Sequence, residues 1–85
     1  MKGSSFASVE ELVDNVTRGG EVEFEYARKQ YSITHSSKGI HIMQFYNYST
    51  EQVYKSPSDI VNYQINDKDL GSIVTDLIIT FRCFH

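Results

Sequence analysis

Cysteine is almost missing from this chain. Cys83 stands alone among 85 residues, so no internal disulfide can form, and a reducing, cytoplasmic setting is expected. Long apolar runs are missing too. The longest is Leu77-Ile78-Ile79, against the ~20 residues of a membrane-spanning helix, so no membrane partner is expected. No apolar segment follows Met1-Lys2-Gly3-Ser4-Ser5, so no secretory leader is expected. Basic clusters are limited to Arg28-Lys29, which disfavours binding to a phosphate backbone. A glycine-rich phosphate loop is absent: Gly19-Gly20 follows a predicted helix and precedes a predicted strand, the reverse of the required order. No Asp/Asn/Gly calcium loop is present.

The chain is 40% hydrophobic, enough for a globular fold, and its length suits one domain with marginal stability from a single core. The expected domain spans residues 1–85, with 1–5 flexible. Net charge is −3, and the acids gather early: residues 1–26 carry six acids and two bases. Such a balance suits solubility and fits a basic protein partner.

Ser8-Val9-Glu10-Glu11 has the pattern of a capping box, in which the Ser8 hydroxyl and the Glu11 carboxylate satisfy each other's amides. Val9, Leu12, Val13 and Val16 follow at helical spacing, and Gly19-Gly20 supply a stop. Glu21-Val22-Glu23-Phe24-Glu25-Tyr26 then alternates strictly, placing Val22, Phe24 and Tyr26 on one face of a strand and three glutamates on the other. A second strand over 31–35 pairs with it. The hydrophobic pattern predicts Tyr26 opposite Tyr31 and Phe24 opposite Ile33, joined by a four-residue loop on a type I turn, since 27–30 contain no glycine.

The third strand, 40–48, does not choose a side. A two-residue hairpin pairs His35 with Ile40 and buries Ile42. A bulge at Gly39 pairs His35 with His41 and turns Met43 and Phe45 inward. The bulkier pair favours the second arrangement. Residues 49–52 read as a polar turn and 52–55 as a short edge strand. Ser56-Pro57-Ser58-Asp59 starts a helix, with Ser56 as N-cap, running to about Tyr63. Leu70, Ile73, Val74, Leu77, Ile78 and Phe81 form a helical stripe, while Ile78-Ile79-Thr80-Phe81 has strand propensity. Helix is predicted through about Ile79. The expected class is therefore α+β: an N-terminal helix, a three- to four-stranded antiparallel meander, and a C-terminal helix or helices packed on one face of the sheet.

No residues assemble into catalytic machinery by spacing alone. His35, His41, Cys83 and His85 contain zinc-type donors, and His35 facing His41 would make a two-histidine pair, but the spacing fits no established metal pattern. Cys83 beside Arg82 lacks a base placed by sequence. Glu21, Glu23 and Glu25 lie roughly 6.5–7 Å apart on one face, too far to share a proton, and read as a solvated row. No cofactor is implied.

The tyrosines are the exception. Six tyrosines and five phenylalanines exceed what a small core needs, and tyrosine is enriched at recognition surfaces. Tyr46, Tyr48, Tyr54 and Tyr63 stand out, and Ile42, Tyr46, Tyr48 and Tyr54 are the candidate binding residues, on the third strand and the adjacent edge. The expected function is a non-catalytic protein-interaction or regulatory module, binding a protein partner or a second copy. The alternative is a single-stranded nucleic-acid-binding module that stacks bases on the same tyrosines, although it lacks a basic groove.

Overall fold

The computed structural model describes residues 4–83. Helix α1, Val9–Thr17, begins where the sequence signal lies. The Glu11 amide donates to Ser8 Oγ at 3.2 Å. Glu11 Oε1 in turn accepts from the Ala7 amide at 2.7 Å, one residue earlier than in the standard reciprocal box. Gly19, at φ 81°, supplies the left-handed stop.

Four strands follow as a meander: β1 (Val22–Tyr26), β2 (Lys29–Ser36), β3 (Gly39–Gln44) and β4 (Asn47–Tyr54). A 3-10 segment, Pro57–Asn62, leads to a small hairpin of β5 (Gln64–Ile65) and β6 (Lys68–Asp69). One turn of helix, α2 (Leu70–Ile73), runs into a second 3-10 segment, Val74–Asp76, and then β7 (Ile78–Arg82). β7 returns to lie beside β1, giving an antiparallel five-stranded sheet in the order β4-β3-β2-β1-β7. The Ile79 amide donates to the Ser4 carbonyl at 2.7 Å, so the chain ahead of α1 lines the outer edge of β7.

The class is α+β as the pattern implies, but several expected elements differ. The β1–β2 register is two residues tighter, with Phe24 opposite Tyr31 and Val22 opposite Ile33. Ala27 (φ 51°) and Arg28 (φ 67°) both take left-handed backbone, so a two-residue loop closes the hairpin without glycine. Such a loop matches the right-handed strand twist, and that match outweighs the local cost. A shift of two preserves the faces, so the predicted core survives.

At β2–β3 the two-residue hairpin forms. His35 faces Ile40, and Ile40 and Ile42 enter the core in place of Met43 and Phe45. Gly39 takes φ 137°, and a Cβ there would stand 2.4 Å from the Tyr54 carbonyl oxygen, so the close approach of β4 fixes glycine at this turn. β3 stops at Gln44, and 49–52 is strand where a polar turn was expected. The turn is instead at Phe45-Tyr46, with Gln44 opposite Asn47. Between Ile42 and Gln44 the register shifts, because β4 carries a large bulge at 48–51.

Ser56 makes no side-chain cap to the segment after it, and the short helix expected to about Tyr63 is a 3-10 segment, Pro57–Asn62. The predicted helix over 70–79 breaks after one α-turn, and 78–82 joins the sheet. The stripe nonetheless identified core residues: Leu70, Ile73, Val74 and Leu77 are all buried. β7 covers the edge of β1 that would otherwise stay open, and its β-branched sequence suits that place. Ile78 and Phe81, the remaining members of the stripe, are exposed.

All the helical segments pack on one sheet face. Val22, Phe24, Tyr31, Ile33, Ile40, Ile42 and Ile79 contribute from the strands, and Phe6, Leu12, Val16, Ile60, Leu70 and Leu77 cover them. Each such side chain stabilises the fold by about 1.5–3 kcal/mol relative to exposure. No helix among the described residues is long and apolar enough to cross a membrane.

Candidate functional site

The face of the sheet turned away from the helices is uncovered. Strand alternation brings Phe81, Glu23, Ser32 and Met43 into one row across it, and Ile78, Glu25, Gln30 and Phe45 into the next. Glu25 Oε1 accepts from Gln30 Nε2 at 3.3 Å. A third row holds Thr34, His41 and Val53. His41 Nδ1 lies 2.9 Å from Glu51 Oε2, and its Nε2 meets Ser36 Oγ. The surface is thus a central strip of carboxylates with apolar residues on either side.

The hairpin tip between β3 and β4 lies at one end of the sheet. Tyr46 is 94% exposed and Tyr48 79% exposed. Phe45 and Tyr46 meet edge-on, ring centroids 5.9 Å apart. Tyr46 holds φ 61°, a left-handed conformation that costs a bulky residue roughly 1–2 kcal/mol. The adjoining bulge is pinned by Thr50, whose Oγ1 donates to the Asn47 carbonyl at 2.6 Å and accepts from the Gln44 amide at 2.9 Å.

The four candidate tyrosine-strand residues therefore separate. Tyr46 and Tyr48 share the tip. Ile42 is at 0% exposure and belongs to the core, not to a surface, because β3 takes the plain hairpin register. Tyr54 is half-buried against the core, opposite Ile40. With Tyr31 and Tyr63 it lines a cleft of about 420 Å³ on the helix side of the sheet, between β4 and the β5–β6 hairpin. Tyr63 donates its hydroxyl to the Thr50 carbonyl at 2.9 Å, and its ring meets Tyr31 edge-on at 6.5 Å. Burial raises the phenol pKa of Tyr31, Tyr54 and Tyr63 above its ordinary value.

The two-histidine arrangement is not assembled. With His35 opposite Ile40, His35 and His41 fall on opposite faces. His35 Nε2 contacts the Gly20 carbonyl at 3.0 Å. Among the described residues no three of His, Cys, Asp and Glu converge on a common point; His85 lies outside them. Cys83 is part of the framework: its Sγ accepts from the Glu21 amide at 3.4 Å, and its amide donates to the Glu21 carbonyl at 3.0 Å.

One cluster was not legible in the sequence. Asn15, a fully buried polar residue on α1, donates Nδ2 to the Cys83 carbonyl at 3.1 Å. It accepts from Arg82 Nε at 2.9 Å. Arg82 also approaches Glu11 Oε2 at 3.4 Å and stacks 4.7 Å from the Phe6 ring centre. Helical spacing placed Asn15 next to the Val16 stripe, but nothing in the sequence named partners 67 and 68 residues away.

Comparisons with protein-family models, curated proteins and solved structures gave no match to this chain. The functional reading rests on the geometry above.

Proposed function

We propose that the chain is a non-catalytic protein-interaction module whose contact surface is the Tyr46/Tyr48 tip and the adjoining open face. The observation that carries this reading is Tyr46 itself. The second position of a two-residue turn, when left-handed, favours glycine or asparagine. Here the position holds a tyrosine with almost its whole ring in water. Neither turn geometry nor packing accounts for that choice, whereas an aromatic anchor held on a stiff hairpin suits partner recognition.

Charge narrows the partner. Glu23 and Glu25 share rows with Met43 and Phe45, and Glu51 meets His41 on the same face, so two copies of this face would repel each other. A different protein with a basic, partly apolar surface is complementary. The same carboxylates work against stacking single-stranded nucleic acid on Tyr46 and Tyr48, because phosphates would sit beside them.

The test combines sedimentation with capture from the native host. The expected result is a monomeric protein that captures a basic partner, with capture abolished by Tyr46→Ala and by Tyr48→Ala and retained in Arg28→Ala. Capture indifferent to both tyrosine substitutions, or a salt-sensitive oligonucleotide complex lost in the same variants, would overturn the reading.

A further inference from the structure

The cleft beside β4 lies on the other side of the sheet from the carboxylate strip, and its lining has a distinct composition. The chain has eleven acidic residues, yet none lines the cleft. Five of the chain's eight carboxamide side chains do. Gln44, Gln52, Asn62 and Asn66 make no side-chain hydrogen bond to a described residue, so their donors and acceptors remain available.

Tyr31 supplies a second, independent observation. It is only 5% exposed, with its ring stacked on Phe24 at 5.3 Å. Its hydroxyl makes no hydrogen bond to a described residue, and no buried side-chain oxygen or nitrogen among those residues lacks a partner. The Tyr31 hydroxyl is therefore not sealed off, and the residue borders the cleft. A phenol whose ring is packed in the core and whose hydroxyl is accessible is a fixed, preorganised hydrogen-bonding group.

We infer that this cleft binds an uncharged, hydroxyl-rich ligand, about one or two sugar rings in size. Each carboxamide presents both a donor and an acceptor, and each sugar hydroxyl does the same, so the two sets pair without leaving a charge unmatched. An anionic ligand would find Lys29 as the only cation in the lining, and a cationic ligand would find no carboxylate there. An apolar ligand would leave about half of the wall, its polar half, without partners. The cleft volume lies in the usual range for small-ligand sites.

The test uses maltose and N,N′-diacetylchitobiose as probes and inorganic phosphate as the charged control. Side-chain amide resonances are followed by NMR in the full-length protein. At least one sugar should give saturable shifts of the Gln44, Gln52, Asn62 and Asn66 amides. Tyr31→Phe and Gln52→Ala should each weaken that binding about fivefold, the effect of one lost hydrogen bond, with the melting temperature almost unchanged. Gln52 is exposed, so its variant tests the site without disturbing the core. The inference falls if neither sugar gives saturable shifts, if phosphate binds in the cleft instead, or if affinity is unchanged in both variants. Because Tyr46 and Tyr48 lie outside the cleft, Tyr46→Ala should leave sugar binding intact.

Discussion

Replacing Asn15 with alanine tests how the two ends of the described chain are held together. The Asn15 side chain makes two hydrogen bonds, to the Cys83 carbonyl at 3.1 Å and from Arg82 Nε at 2.9 Å. A neutral bond contributes about 1 kcal/mol and one to a charged group about 1.5–3 kcal/mol. Arg82 retains Glu11 and the Phe6 ring, and water can reach part of its guanidinium, so some of the loss is recovered. The net cost is then roughly 2–4 kcal/mol. A domain of this length has total stability of roughly 4–13 kcal/mol, so the loss is a large share of the whole. Urea denaturation should show a lower midpoint at unchanged slope. Asn15→Asp separates the two bonds: it keeps the acceptor for Arg82 but turns an oxygen toward the Cys83 carbonyl. A double-mutant cycle with Arg82→Met should give a coupling of about 1–2 kcal/mol. A cost below about 0.5 kcal/mol for Asn15→Ala, or strict additivity in the cycle, would refute the account.

Three further outcomes follow from the same geometry. Tyr46→Asn should raise stability by up to about 1 kcal/mol by relieving the left-handed backbone, measured by melting temperature, while partner capture is lost. Ile42→Ala should cost about 2–5 kcal/mol in urea titrations because the site is fully buried, whereas Tyr48→Ala should lie within about 0.5 kcal/mol of the parent. Stability should also fall under alkaline conditions. Tyr31, Tyr54 and Tyr63 hold their protons more tightly folded than unfolded. Their contribution is therefore complete below the unfolded phenol pKa of about 10 and is lost as pH rises past it. Melting curves in that range should show the decline, reduced in Tyr31→Phe.

The sequence was most informative where signals were local. The Ser8 cap, the Gly19 stop and the alternation of Val22, Phe24 and Tyr26 all act over a few residues, and each appears in the fold. Register was harder, because a shift of two residues leaves every face unchanged; the left-handed Ala27 and Arg28 carry no composition cue for such a turn. The helical stripe from Leu70 found the right buried residues but the wrong backbone beyond Ile73. Whether 78–82 forms a helix or a strand depends on the vacant edge of β1, which is a tertiary fact. The candidate tip was partly legible. An excess of tyrosine pointed to Tyr46 and Tyr48, but the turn at 45–46 that lifts them into water depends on where β3 ends. The carboxamide cleft had no local signal, since its lining residues come from four separate stretches of chain.

The place of β7 also bears on how the protein comes into being. β1 through β4 pair with sequence neighbours, so each hairpin closes as it is made. The edge of β1 and the Asn15 side chain must wait for residues 78–83, which arrive more than fifty residues later. During synthesis the nascent meander presents an open strand edge, the feature most prone to pairing with a neighbouring chain. Docking of β7 closes that edge of β1 and leaves β4 and β7 as the outer strands, so its arrival, more than the growth of the hairpins, ends the exposure of an inner strand.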